Sequence, residues 1–145
     1  MSAVQKPNLP AHLKVVGVVL IALGALKLQG VLWGSLAGQM DPVFRVPSHT
    51  LALVAGAIEV SVAIYILRVL SPLRGAQCTA LLGFSFTCYR WLSSWMGAGS
   101  DCPCLGFPIQ SIAFLGAYGE KLLFSIAVWL MLVGSWSWIK EAQTE

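Results

Sequence analysis

Charged side chains are scarce in this chain. Lys, Arg, Asp and Glu make up 10% of its 145 residues, against about 25% in an average soluble domain. Hydrophobic residues reach 57% and the mean hydropathy is +0.78, so the chain has too little charge for the surface of a soluble domain. Its net charge of +3 is scattered, without basic tracts interleaved with aromatics, which argues against nucleic acid as a partner. Composition therefore predicts a polytopic membrane protein whose first partner is the lipid bilayer.

Several enzyme motifs are also missing from the sequence. It has no glycine-rich phosphate loop, no HExxH metal helix and no nucleophile elbow. Kinase, ATPase, zinc-protease and hydrolase activities are therefore without support.

Four long apolar segments lie between the prolines. A helix needs about 20 mostly apolar residues to cross the hydrocarbon core of a bilayer. The segments that meet this requirement lie at about 14–35, 49–70, 76–97 and 119–139. We therefore predict an all-α fold, a bundle of four transmembrane helices that forms a single membrane domain over residues 1–145.

The first segment carries glycines at a regular spacing. Gly30, Gly34 and Gly38 recur every four residues, a pattern that lets helix backbones approach closely in membranes. We interpret it as a packing stripe within the bundle, with dimerisation as the alternative.

Basic residues near the segment ends indicate the orientation, because cytoplasmic loops carry an excess of Lys and Arg. The larger set and the smaller set lie on opposite sides of the membrane: Lys6, Lys14, Arg68, Arg74 and Lys140 against Arg45, Arg90 and Lys121. This bias predicts a membrane protein with both termini in the cytoplasm. The loop between the third and fourth helices then lies outside the cell or in an equivalent oxidising lumen.

That loop contains Cys102-Pro103-Cys104. Thiols this close in an oxidising compartment are expected to form a disulfide. A ring closed across one intervening residue is strained, which makes the bond easy to reduce. We therefore interpret Cys102 and Cys104 as a reactive pair, the candidate catalytic residues. A structural bridge and a Cu(I) site are the alternatives, although no metal site is predicted.

Cys88 is the third candidate catalytic residue. It lies about 18 Å above the inner end of its helix, in the outer half of the membrane, where a loop thiol can reach it. A relay of electrons from Cys102 or Cys104 to Cys88 is the hypothesis, and an inert buried thiol is the alternative.

Three ionisable residues lie within the predicted spans and away from the span ends: Lys27, Glu59 and Arg90. Charges in hydrocarbon usually face a partner or a polar cavity. Lys27 and Glu59 lie about 19 Å and 15 Å above the inner boundary, close enough to form an ion pair. Small residues flank Glu59 on its helix face, which indicates that it points into the bundle. We predict Lys27, Glu59 and Arg90 as candidate residues for binding a quinone head group. The alternatives are an ion pair that only fixes helix register and an Arg90 that extends to the interface.

The sequence resembles the MauE (methylamine-utilisation)/DoxX-like family of small four-helix membrane proteins, over about 14–139. The matching pieces are Gly24-Ala25-Leu26-Lys27-Leu28, Glu59 and Cys102-Pro103-Cys104-Leu105-Gly106. The resemblance implies a membrane component of periplasmic thiol–disulfide chemistry, with a thioredoxin-like partner and a disulfide-rich client protein. It therefore implies a bacterial inner membrane, with the Cys-Pro-Cys loop in the periplasm. DoxX-like relatives are linked to quinone-coupled sulfur oxidation.

The leading hypothesis is thus an integral membrane thiol–disulfide oxidoreductase. It would exchange electrons between periplasmic thiols and a membrane quinone through Cys102 and Cys104. The alternatives are a non-catalytic membrane scaffold or assembly subunit, and a small transporter or metal-handling protein.

Overall fold

The computed structural model describes residues 10–34, 38–69, 72–96 and 113–143, and within them it contains four helices. They are α1 Ala11–Leu32, α2 Ser48–Val69, α3 Pro72–Trp95 and α4 Ala113–Ala142. The all-α prediction is confirmed, although α3 and α4 begin earlier than predicted. Pro72 is the first residue of α3, where the missing backbone N–H of proline costs no intrahelical hydrogen bond. The predicted Cys-Pro-Cys loop lies outside the described residues.

Three of the helices are long and apolar enough to cross a membrane: Ala11–Leu32, Ser48–Arg68 and the Lys121–Lys140 part of α4. These three helices support the prediction of an integral membrane protein. α3 is of comparable length, with 24 residues, but it is less apolar. The predicted span at about 76–97 therefore stays a prediction.

The outer surface of the bundle is apolar. Large hydrophobic side chains are exposed on all four helices, as expected where lipid replaces water. Trp33, Trp91 and Trp95 are exposed near the ends of α1 and α3, whereas Trp136 and Trp138 are exposed near the end of α4. This distribution resembles the two tryptophan belts that mark membrane interfaces.

The helices associate as two pairs, α1 with α2 and α3 with α4. Glycine permits the close approach within each pair. A Cβ atom on Gly24 would lie 2.9 Å from the carbonyl oxygen of Gly56, and one on Gly83 would lie 2.4 Å from the backbone nitrogen of Met131. Backbone atoms have little freedom to move aside, so a larger residue at either glycine would push the helices apart.

The predicted packing stripe of Gly30, Gly34 and Gly38 is wrong. α1 ends at Leu32, and Gly34 and Gly38 lie beyond it with φ angles of 68° and 81°. These left-handed angles suit glycine, which has no Cβ atom to clash with the backbone. Two of the three glycines therefore shape the connection to α2 and are not part of a helix face.

The two helix pairs are held together at the end of the bundle where α1 begins and α4 ends, here called the termini end. A cluster of buried apolar residues fills this end: Leu13, Val16, Leu20, Ala63, Ile66 and Leu130. His12 Nε2 and Ser137 Oγ lie 2.9 Å apart and join α1 to α4. The opposite end, here called the loop end, contains the connection between α1 and α2 and a cavity.

Candidate ligand cavity between the helix pairs

A cavity of about 240 Å³ lies between the helix pairs, toward the loop end. Side chains from all four helices line it, and most are apolar, including Leu23, Leu51, Ala52, Ala55, Leu123 and Ile126. An apolar cavity of about 150 Å³ binds benzene. The larger volume here is therefore enough for a substituted aromatic ring.

Lys27 of α1 and Glu59 of α2 form an ion pair at this cavity, as the sequence predicts. The Lys27 Nζ donates a hydrogen bond to Oε1 of Glu59. The closely packed glycines explain the contact: Gly24 and Gly56 each lie three residues before a member of the pair, and residues three apart share a helix face. The glycine contact therefore brings the two charged side chains together.

The two carboxylate oxygens of Glu59 have different surroundings. Glu59 is fully buried, with 0% of its side chain exposed, whereas Lys27 retains 11%. Oε1 accepts the bond from Lys27, but Oε2 has no hydrogen-bond partner among the described residues. The Lys27 Nζ also lies 4.7 Å from the centroid of the Phe86 ring, within the range of a cation–π interaction. Within the ion pair, Oε2 of Glu59 is thus the buried polar atom that lacks a hydrogen-bond partner among the described residues.

Asp41 and Tyr89 line the cavity near the loop end. Asp41 is only 2% exposed. Its Oδ1 accepts the backbone N–H groups of Val43 at 3.0 Å and Phe44 at 2.8 Å, and its Oδ2 accepts the hydroxyl of Tyr89. The rings of Phe44 and Tyr89 stack with their centroids 5.9 Å apart. Together these contacts fasten the α1–α2 connection to α3.

Sequence reasoning missed this Asp41–Tyr89 contact. Asp41 is followed by Pro42, a pair that is typical of turns in which the aspartate side chain binds nearby backbone N–H groups. That signal identifies the turn. It does not identify the partner of the second oxygen, since Tyr89 is 48 positions away.

The structure brings all three predicted quinone-binding residues to one cavity, since Arg90 lines it together with Lys27 and Glu59. Arg90 is half-buried on α3. The three side chains come from three different helices, which is the arrangement expected of a binding site built in a bundle core.

Of the three predicted catalytic cysteines, only Cys88 lies within the residues that the structure describes. Cys102 and Cys104 lie outside the described residues. Cys88 is a free thiol that is exposed on α3, and it is not among the residues that line the cavity. Cys88 is therefore not buried among the helices, and both the relay and the alternative of an inert thiol stay predictions. Cys78 is a free, half-buried thiol.

Comparison of the chain with family models, curated proteins and solved structures gives no match. The resemblance to the MauE/DoxX-like family therefore depends on the motifs in the sequence alone.

Proposed function

We propose that this protein is an integral membrane thiol–disulfide oxidoreductase. Cys102 and Cys104 exchange electrons with a thioredoxin-like or disulfide-rich periplasmic partner, and a membrane quinone in the cavity accepts them. The observation that carries the proposal is the ring-sized, mostly apolar cavity that contains the Lys27–Glu59 pair. It lies toward the end of the bundle where α3 ends and α4 begins, and the segment between these helices contains both cysteines.

The reaction has two balanced steps. A client thiolate attacks the Cys102–Cys104 disulfide, and a second client thiol resolves the mixed disulfide. The client leaves with a disulfide, and Cys102 and Cys104 are left as two thiols. These thiols then transfer two electrons and two protons to the quinone, which becomes a quinol as the disulfide re-forms.

The cavity offers hydrogen-bond donors for the oxidised ligand. Lys27 and Arg90 both line it, and both side chains donate hydrogen bonds. The carbonyl oxygens of a quinone are acceptors, so they match these two residues. The apolar lining matches the ring and its substituents.

The proposal includes α3 as a fourth membrane span. α3 packs against α4 through Gly83 and Gly134, whose added Cβ atoms would lie 2.4 Å from backbone nitrogens of the partner helix. The hydroxyl groups of Thr79, Ser85 and Thr87 on α3 each donate a hydrogen bond, at 2.8 Å, to a backbone carbonyl one turn earlier. Hydroxyls that are satisfied within their own helix suit a lipid environment. With four spans, both termini lie on one side of the membrane. The excess of Lys and Arg supports the cytoplasm for that side, and the proposal takes the membrane as a bacterial inner membrane with the cysteine loop in the periplasm.

The decisive experiment measures the redox state of each cysteine in membranes. Alkylation with a mass-tagged maleimide separates thiols from disulfides. We expect Cys102 and Cys104 to accumulate as thiols in membranes from cells that lack quinone, and to reoxidise when a quinone is added. The Cys102→Ser/Cys104→Ser variant should lose client oxidation, whereas the control Cys78→Ser should retain it.

Two results would contradict the proposal. One is a Cys102–Cys104 pair whose redox state does not change with quinone supply. The other is full client oxidation by the double serine variant, which would instead favour the scaffold or assembly role. A Cys88→Ala variant with unaltered redox behaviour would remove the relay and leave direct transfer.

A further inference from the structure

We infer that Glu59 makes the cavity selective for a ring that donates a hydrogen bond, so that among quinones it prefers the reduced quinol. The inference rests on the proposed function for the identity of the ligand. It goes further in assigning a residue that distinguishes the two redox forms and in naming the atom responsible, Oε2.

The first step concerns the chemistry of the carboxylate. Within its ion pair with Lys27, Glu59 accepts hydrogen bonds and donates none. Its Oε1 is engaged by Lys27, while Oε2 is buried without a partner among the residues that the structure describes. The hydroxyl of a quinol donates a hydrogen bond, and the carbonyl of a quinone does not. Only the reduced ring can therefore satisfy Oε2.

The second step weighs this acceptor against the neighbouring donor. Lys27 already donates to Glu59 and lies over the ring of Phe86, and it keeps some exposure. Oε2 has neither a partner nor exposure. A buried polar atom without a partner carries its full desolvation cost. A hydrogen bond donated to Oε2 therefore contributes more binding free energy than a further hydrogen bond from Lys27.

The third step is space. Glu59 lines a cavity of about 240 Å³, and Ala52 and Ala55 line it from the same helix. The helix that carries Glu59 thus contributes short side chains to the cavity wall. A substituted ring fits a volume of this size.

The test uses three ring probes that differ only in their oxygen substituents. They are tetramethylhydroquinone, tetramethylbenzoquinone, and the dimethyl ether of the hydroquinone, which cannot donate. Binding is measured anaerobically by equilibrium dialysis against the full-length Cys102→Ser/Cys104→Ser chain in lipid nanodiscs, because this variant cannot turn the probes over. We expect the hydroquinone to bind about tenfold more tightly than either other probe, the effect of one hydrogen bond to a charged acceptor.

Glu59→Gln is the diagnostic variant. Its amide oxygen can still accept from Lys27, while an NH₂ group that only donates replaces Oε2. The preference for the hydroquinone should disappear or turn toward the benzoquinone. Ser85→Ala is the matched control: Ser85 also lines the cavity, but its hydroxyl donates to the Leu81 carbonyl of its own helix, so the preference should remain.

A second variant covers the case in which Glu59→Gln fails to fold. Lys27→Met/Glu59→Gln removes both charges, leaves no buried ion unpaired and should likewise show no preference. Three results would overturn the inference: no binding of any probe, equal binding of the hydroquinone and its ether, or a preference that survives in a folded Glu59 variant. Cysteines that ignore quinone would contradict the proposed function, even with the hydroquinone preference present.

Discussion

Asp41 and Glu59 are both buried acidic residues that line the cavity, but their hydrogen bonding differs. Asp41 accepts three hydrogen bonds from within the chain, two at Oδ1 and one at Oδ2. Glu59 accepts one, at Oε1. The same region therefore supplies partners for both oxygens of one carboxylate and for only one oxygen of the other. This contrast indicates a structural role for Asp41 and a ligand-binding role for Glu59.

The structural role of Asp41 is tested by Tyr89→Phe. The substitution keeps the aromatic ring that stacks on Phe44 and removes the hydroxyl that donates to Asp41. A buried acceptor left without its donor should lower the free energy of unfolding by about 1–3 kcal/mol. Thermal and denaturant unfolding in detergent measure the change. Tyr65→Phe, at an exposed tyrosine of α2, is the control, and an equal effect of the two substitutions would argue against the Asp41 contact.

The Lys27–Glu59 pair predicts an asymmetry between single and double substitutions. Lys27→Met leaves Glu59 buried without its counter-ion, which should cost about 3–5 kcal/mol of stability. Lys27→Met/Glu59→Gln removes both charges and should recover most of that loss. Unfolding midpoints of the two variants and the parent chain provide the measurement. A double variant no more stable than the single one would show that the ion pair is not the source of the loss.

At the scale of helices, the chain depends on glycine where two backbones touch. The helices pack so closely that Gly83 faces the Met131 nitrogen of α4 directly. Gly75, on the same helix, is different: an added Cβ atom would first meet the side chain of Leu13 at 3.5 Å, an ordinary contact distance. The two glycines of α3 thus form a matched pair for substitution.

Gly83→Ala should destabilise the protein by about 1–3 kcal/mol, because overpacking forces the helices to shift. Gly75→Ala should be neutral or stabilising by up to about 1 kcal/mol, since alanine is the better helix former. Both values come from unfolding measurements on the purified chain. If Gly83→Ala were as stable as Gly75→Ala, α3 and α4 would not be in backbone contact at this point.

Helices were easier to predict from this sequence than the points where they end. Long apolar runs between prolines identified all four, because burying an apolar face in lipid requires such runs. The glycine stripe was misassigned because its four-residue spacing continues past Leu32, where α1 ends. Spacing reports which residues would share a face if the helix continued. It carries no information on φ, which turns positive at Gly34.

Of the candidate site, only the contacts between regular helices could be predicted from the sequence. The contact between Lys27 and Glu59 follows from regular helix geometry, since rise per residue fixes the depth of each side chain in the membrane. The contact between Asp41 and Tyr89 depends on how an irregular connection folds back onto α3. No periodicity encodes that path. The cavity itself was not predictable, because side chains of all four helices line it and no single segment encodes how those helices pack together.

At the scale of the whole molecule, the two ends of the bundle differ in their packing. The termini end is filled by the buried cluster around Leu13 and Ile66, which extends to Leu130 at the wall of the cavity. The loop end instead encloses the cavity, lined by residues of both helix pairs. The α1–α2 connection joins the pairs there through Tyr89.

The number of membrane spans can be decided from two positions. Gln39, between α1 and α2, and Gln143, after α4, are both exposed. If all four helices cross the bilayer, these residues lie on opposite sides; if α3 does not cross, they lie on the same side. We predict that, in a chain whose four native cysteines are replaced by serine, an impermeant maleimide labels Gln39→Cys in cells with a permeabilised outer membrane. Gln143→Cys should react only after the inner membrane is opened as well.

The two possible labelling results place α3 differently relative to the bilayer. Opposite sides require α3 to lie across the bilayer, where its hydroxyls donate to its own carbonyls. Labelling of both positions from the periplasm would place α3 at the cytoplasmic surface. In that case α3 would lie outside the hydrocarbon core that α4 crosses. Such a position conflicts with the contacts between the two helices at Gly83 and Gly134. Because contact between backbones fixes α3 at the depth of α4, we expect the opposite-side result.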